Sequence, residues 1–395
     1  VPQSDLSNRA QLLKPSPTLA VSNRALTMRK EGKDVISFAA GQPDFSTPEP
    51  IAEEAIAALR RGETKYTPTR GTPELREAVV AKLKRENKIQ ADVSNIVVSC
   101  GAKHSLYNIF QVLLNPGDEV ILFAPYWATY SDQVSIAGGI PVVLNTTLEN
   151  DFQPDFDHLR SLITPKTKAI VVNTPSNPTG AAFTRQTIKE IATVALKNDL
   201  WIISDEIYER LTYGHQHESL AALSKEVGEK TITVTGVSKT YAMTGWRIGF
   251  ACAPPHIAQA MSNLQDQVTS GPTSFAQAGA VAALELPTAE VEKMRDTFLE
   301  RRDVVLERLR AMPDVEVATP KGAFYVFPDL SRYIGKKVCS DLELVEYLLE
   351  EALIATVPGS VFAGPGHIRI SYATNPDQIN QGMDRMQAAL SKLRE

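Results

Sequence analysis

The densest chemistry in the sequence surrounds Lys239. A strand-like run, Thr231–Thr235, ends in Gly236-Val237-Ser238-Lys239-Thr240, and Arg247 follows eight residues after the lysine. A lysine amine at the end of a buried strand can attack an aldehyde and form a Schiff base. Ser238 and Arg247 can hold a phosphate dianion through a hydroxyl and a charge-assisted guanidinium fork. Alone, a Ser-Lys pair is commonplace and its amine is solvated. Three other strand-like runs also carry polar groups, on the run or just after it. Asp205 and Tyr208 lie in Ser204-Asp205-Glu206-Ile207-Tyr208, Asn177 lies in Asn173-Thr174-Pro175-Ser176-Asn177-Pro178, and Arg369 lies in His367-Ile368-Arg369-Ile370-Ser371. Each has a plain alternative: a helix N-cap for Asp205, a turn residue before proline for Asn177, an edge-strand charge for Arg369.

The elements that must position these groups are short apolar runs alternating with helical stretches. The runs are Ile96–Ser99, Glu119–Phe123, Ala169–Val172, Trp201–Ser204, Thr231–Thr235 and Ile248–Ala251. Helices are expected near 73–87, 103–113, 127–137, 185–198 and 255–267. Runs buried on both faces and separated by helices indicate a mostly parallel sheet covered on both sides. Such sheets bind ligands at the strand C-terminal ends. After residue 290 the pattern becomes α+β, with helices near 290–311, 341–352 and 376–393 and strand-like segments at Val315–Ala318, Ala323–Phe327 and His367–Tyr372. Val35–Ala40 also reads as a strand. The expected division is a large α/β domain over 46–289 and a smaller α+β domain from 1–45 and 290–395.

Gly101-Ala102-Lys103 follows the run Ile96–Ser99 and opens a helix, so its free N–H groups make an anion site. The chain has 395 residues, more than one core of about 250–300 residues accommodates. Lys and Arg number 41 against 46 Asp and Glu, which gives no basic footprint for nucleic acid. No apolar run approaches the roughly 20 residues of a membrane span. The three cysteines are widely spaced and are expected to be thiols. The first residues, Val-Pro-Gln-Ser-Asp-Leu, lack a basic region and an apolar stretch and are not expected to be a signal peptide, so a cytoplasmic location is expected. The six histidines show no metal-ligand clustering beyond His215-x-His217, expected to be a solvated loop pair, and no metal is expected.

Taken together, the segments at 177, 205–208, 239–247 and 369 resemble, in order, the motifs of the fold-type I pyridoxal-phosphate enzymes, and within them the large aspartate-aminotransferase family. The resemblance covers about residues 10–393. It implies that Lys239 carries pyridoxal 5'-phosphate and acts as general base, and that Asp205 pairs with the pyridine nitrogen. Tyr208 and Asn177 then donate to the phenolic oxygen. Gly101, Ala102, Lys103, Ser238 and Arg247 surround the phosphate, Trp127 stacks on the ring, and Arg369 grips the substrate α-carboxylate. Gly41 lets substrate approach the backbone. Tyr66 matches a tyrosine that reaches the phosphate of the other subunit, which implies a homodimer with shared sites. The same pattern implies a cis bond before Pro178.

Acidic substrates in the branch most resembled are read by a lysine after the phosphate-binding glycine and by N-terminal residues. Lys103 fits the first, and Lys14, Ser16 and Thr18 fit the second. The implied reaction is ping-pong transfer of an amino group from L-aspartate or glutamate to a 2-oxo acid such as 2-oxoglutarate. Amination of prephenate to arogenate fits the same residues, and the two acceptors are not separated by sequence. A β-lyase shares the α-proton chemistry. A regulatory module is disfavoured by the short segment ahead of the first strand. A nicotinamide site is disfavoured because no strand is followed by Gly-x-Gly-x-x-Gly.

Overall fold

The computed structural model describes residues 5–13, 17–335 and 337–394, without the side chains of residues 17–19. Twelve strands occur among the described residues: β1 Ile36–Ser37, β2 Ile96–Ser99, β3 Glu119–Ala124, β4 Ile140–Asn145, β5 Thr167–Asn173, β6 Trp201–Asp205, β7 Thr231–Gly236, β8 Gly249–Cys252, β9 Tyr325–Val326, β10 Ile354–Ala355, β11 Val357–Pro358 and β12 Ile368–Ser371. Seven of them form one sheet in the order β2-β8-β7-β6-β5-β3-β4. The β4, β3, β5, β6 and β7 strands are mutually parallel, and β8 runs antiparallel to both neighbours. That makes β2 parallel to β7.

Parallel register gathers chemistry on one edge. Asn173 pairs with Asp205, Asp205 with Val234, and Gly236 with Gly249, which in turn pairs with Ser99. The strand ends leading to Asn177, Tyr208, Lys239 and Gly101 therefore lie side by side. The β2, β6, β7 and β8 strands are almost wholly buried, as their continuous apolar runs require.

Several elements of this half are absent from the sequence reading, two of them for clear physical reasons. The edge strand β4 contains Pro141, which weakens any strand signal. The helix Ser274–Glu285 is apolar nearly all round and shows no clear period. Two prolines beyond Pro178 are also cis, Pro125 and Pro175, while the expected cis bond before Pro178 is present.

The chain ends build a second layer of structure. The β11, β12 and β9 strands form a three-stranded antiparallel sheet, and β1 pairs in parallel with β10. The expected strand over Val35–Ala40 shrinks to β1, and Val315–Ala318 supplies only a bridge from Glu316 to Asp329. The segment after β1 runs beside β12, with the Ser371 amide donating to the Phe38 carbonyl at 2.8 Å. Phe38, Phe298, Phe324, Tyr325 and Tyr372 form the aromatic centre of this half, and Tyr208 from the large sheet packs into the same cluster. The helix Thr288–Arg310 presents Phe298, Arg301 and Val305 to the interior. None of the helices among the described residues is long and apolar enough to cross a membrane.

Candidate active site

Lys239 lies three residues beyond the end of β7 and is half-buried. Its Nζ donates to the Gly41 carbonyl at 2.6 Å. Burial, with the nearby cations Arg369 and Arg247, lowers the amine from its ordinary value to about 8. A lysine so placed holds a sizeable neutral fraction near pH 8, which carbonyl attack and proton abstraction both require.

Asp205 closes β6 and is 2% exposed. Its Oδ2 accepts from the Tyr130 hydroxyl at 2.7 Å and its Oδ1 from the Ile207 amide at 3.2 Å. Burial raises its carboxyl to about 6, against the pull of those two donors. A cationic ring nitrogen facing it would bring it back down. Tyr208 follows in the turn after β6, and its hydroxyl meets that of Tyr325 at 2.9 Å. Tyr130 and Tyr325 were not anticipated. Tyr130 gave no usable signal, being one aromatic on a helix. Tyr325 did: a hydroxyl inside the apolar run Ala323–Phe327 must find a polar partner when buried.

The anion turn is built by close backbone approach. Gly101 has φ +87° and gives no side-chain cap to the helix Ala102–Leu113, so the first helical N–H groups are left for a ligand. A Cβ on Gly101 would meet the Arg247 guanidinium at 2.4 Å, and a Cβ on Gly249 would meet the Ala102 amide nitrogen at 2.2 Å. Arg247 is exposed and anchored by bonds to the carbonyls of Thr244 at 2.9 Å and Cys100 at 3.3 Å. Ser238 is buried beside Lys239. The first amides of the helix with the Arg247 guanidinium beside them have the donor chemistry of an anion site.

Arg369 stands on β12, 2% exposed. Its Nη1 donates to Asn177 Oδ1 and its Nη2 to the Ala39 carbonyl, both at 2.9 Å. Its buried Nε has no partner among the described residues. The bond from Arg369 uses the Asn177 oxygen and leaves the amide NH2 of Asn177 for another acceptor. Asn177 is itself fixed by its backbone N–H, which donates to Asn173 Oδ1 at 2.9 Å.

Trp127 follows cis-Pro125, packs edge-on against Tyr130 at 5.5 Å and carries Lys103 Nζ over its face at 4.7 Å. Burial, then Arg247, lowers the Lys103 amine. Gly41 is exposed, with the Tyr325 hydroxyl 3.5 Å from where its Cβ would be. Tyr66 is 100% exposed and makes no contact with these residues within the chain. Lys14 and Ser16 lie outside the described residues, as does the side chain of Thr18.

One expectation is corrected. His217 is no solvated loop residue, because its side chain is 10% exposed and its Nε2 lies 2.8 Å from Glu206 Oε2. Glu206, Glu209 and His217 come close enough to hold a metal ion, but Lys82 already sits against Glu209, and Asn87 bonds both carboxylates. The network lies behind the turn of Asp205 and Tyr208, tied to β7 through Thr235, whose hydroxyl donates to Glu209 at 3.0 Å.

Fold and site define an α/β enzyme with a lysine amine, a buried carboxylate and an anion-binding turn on one sheet edge. Residues 33–386 match the family described as aminotransferase class I and II. The aspartate aminotransferase of Bacillus sp. (strain YM-2) is 45% identical over 383 residues, covering 96% of this chain and 98% of that protein. The probable aspartate/prephenate aminotransferase of Aquifex aeolicus is 46% identical over 391 residues, covering 98% and 99%. Among solved structures, the Thermus thermophilus aspartate aminotransferase with maleate superposes with a TM-score of 0.93 at 43% identity, covering 97% of this chain and 99% of that one. The chain belongs to the class I and II aminotransferases, and it is an aminotransferase.

Proposed function

We propose that the chain transfers the amino group of L-aspartate or L-glutamate to a 2-oxo acid by a ping-pong mechanism, with pyridoxal 5'-phosphate held at Lys239. The observation that carries this reading is the alignment of Lys239, Asp205, Asn177 and the Gly101 turn on one sheet edge, facing a buried arginine with an unused N–H. The residues fit the cofactor. A Cβ at Gly101 would fill the phosphate cradle, and a buried carboxylate at Asp205 suits a cationic ring nitrogen. When bound, the cofactor supplies an aldehyde and an electron-accepting ring.

The chain's own residues do the rest. The Gly101–Ala102 amides, Ser238 and Arg247 hold the dianion, Lys103 adds a nearby cation, and Trp127 covers a ring face. Asp205, fixed by Tyr130, keeps a positive charge on the ring nitrogen. Tyr208 and the free amide of Asn177 donate to the phenolic oxygen. Arg369 takes the α-carboxylate, with its Nε–H gaining a partner there. Lys239 Nζ would remove the proton from the substrate α-carbon and deliver it to the cofactor carbon that carries the transferred nitrogen. Lys103 beside Trp127, with Lys14, Ser16 and Thr18 of the sequence reading, supports an acidic side chain on the substrate.

The full exposure of Tyr66 supports a homodimer in which it serves the neighbouring site. The pairing of β1 with β10 supports a division into 46–289 and a smaller unit from 1–45 and 290–395. Prephenate is the second acceptor the relatives' names support, since the Aquifex aeolicus protein is described as a probable aspartate/prephenate aminotransferase.

An assay of L-aspartate with 2-oxoglutarate or prephenate tests the reading. Oxaloacetate formation beyond one equivalent per site that requires an added oxo acid, and vanishes in Lys239→Ala, supports it. Pyruvate and ammonia released without acceptor would favour a β-lyase instead.

A further inference from the structure

Tyr325 lies between the two ends of the proposed site. It sits on β9, opposite Ser371 of β12, and is wholly buried. The Arg369 guanidinium lies over its ring, 4.6 Å from the centroid, while its hydroxyl meets the Tyr208 hydroxyl at 2.9 Å. Tyr208 and Tyr325 also contact edge to face at 5.8 Å. One phenol thus touches both the carboxylate-binding arginine and the tyrosine assigned to the cofactor's phenolic oxygen.

The proton count gives this contact a direction. Each phenol has one proton to donate. If Tyr208 spent its proton on Tyr325, it could not donate outward. If Tyr325 donates, Tyr208 keeps its proton for the ligand and becomes a stronger donor, because a hydroxyl that accepts a bond is polarised by it. A cation over the ring face of Tyr325 draws electron density from that phenol and favours it as the donor. The groups facing the pair are Arg369 from β12, Asp205 from β6, Lys239 after β7 with its Nζ 6.0 Å from the Tyr208 ring centre, and Tyr130 bonded to Asp205. Arg369 and Lys239 are cationic when protonated and Asp205 is anionic. Tyr325 is both bonded to the Tyr208 hydroxyl and placed under Arg369.

We propose that Tyr325 is a positioning residue that orients and polarises the Tyr208 hydroxyl and couples it to the charge state of the Arg369 site. The inference rests on the cofactor reading above. When a carboxylate neutralises Arg369, Tyr325 becomes a weaker donor, and Tyr208 gives less support to the phenolic oxygen. Carboxylate binding and the protonation of the bound cofactor are therefore linked through this hydroxyl pair, beside the direct bond from Arg369 to Asn177.

The test is an absorbance titration with pH of the purified holoenzyme, with and without succinate, a dicarboxylate that cannot react. Wild type, Tyr325→Phe, Tyr208→Phe and the double variant are compared. Tyr325→Phe keeps the ring and removes only the hydroxyl. Its midpoint is expected about 0.5 pH unit above wild type, since a polarising bond changes its neighbour by roughly a tenth to a third. Its succinate-induced shift is expected to be smaller than that of wild type. In the Tyr208→Phe background the Tyr325→Phe change should move the midpoint no further. An unchanged midpoint in Tyr325→Phe, or an equal displacement in both backgrounds, overturns the proposal while leaving the cofactor reading intact. Absence of any pH-dependent cofactor band in wild type overturns both. A purely structural loss would lower thermal stability without this background-dependent pattern.

Discussion

The Nη1 of Arg369 donates to Asn177 Oδ1 at 2.9 Å across 192 residues of sequence, joining β12 to the turn after β5. The bond sets both partners at once. It orients the Asn177 amide NH2 away from Arg369, and it leaves Arg369 Nε–H, buried and without a partner among the described residues, for a carboxylate. Arg369→Lys is expected to raise KM for the amino donor about 10–100-fold, the size of one or two bonds to a charged group. Half-reaction rates against L-aspartate concentration measure this. A KM unchanged within about twofold would detach Arg369 from the α-carboxylate.

Gly101 has a backbone conformation that side chains rarely adopt, and its missing Cβ is the space Arg247 fills. Gly101→Ala should cost about 1–3 kcal/mol in local strain and displace Arg247 from the turn. Reconstitution of the apoenzyme should then need about tenfold more cofactor, with the protein still folded. Fluorescence titration with pyridoxal phosphate checks this, and wild-type affinity in the variant would argue against the phosphate assignment.

Lys239 supplies a pH dependence. Its amine is lowered to about 8 by burial, Arg369 and Arg247, so the neutral form builds up as pH rises through that value. The rate of cofactor recapture by the apoenzyme should climb from pH 6.5 to about 8.5 and then level. A rate still climbing at pH 10 would mean that the amine titrates like an ordinary lysine.

The pair of Glu206 and His217 acts on stability instead. Burial opposes both charges. Even so, His217 holds its carboxylate below the ordinary range, and Glu206 holds the imidazolium above its own. The histidine's contribution is fully present below its unfolded value of about 6.5 and is lost as pH rises through the folded value. The carboxylate's contribution is present above about 4.5 and lost as pH falls through its lowered value. His217→Gln should therefore cost about 3 kcal/mol at pH 6, the scale of breaking a buried pair, and less at pH 9. Thermal midpoints at the two pH values read the gap, and an equal gap at both would contradict it.

Much of this site was legible because it lies where local sequence and strand order coincide. Asp205, Asn177 and Lys239 each terminate or closely follow a buried apolar run, and parallel strands bring those ends together whatever the rest of the chain does. Gly101 was readable for the same reason, as a glycine at a strand-to-helix turn. Tyr130 was not, because its bond to Asp205 depends on how one helix turns over the sheet. Tyr325 carried a hydroxyl in an apolar run, yet its partner lies 117 residues away, and no local pattern names it. His217 looked like a loop residue because the network that buries it is assembled from Lys82, Asn87, Glu206 and Ser219, four separate places in the chain. The strand β4 was hidden by Pro141, which an edge position tolerates.

The most direct test is an absorbance spectrum of the purified holoenzyme before and after adding L-aspartate with no oxo acid present. The account predicts that the band of the lysine-bound cofactor is replaced by that of its aminated form, in one turnover, with an equal amount of oxaloacetate released. An unchanged band would contradict the aspartate reading of Lys103 and Arg369, and no lysine-linked band at all would contradict the assignment of Lys239 on which the account rests.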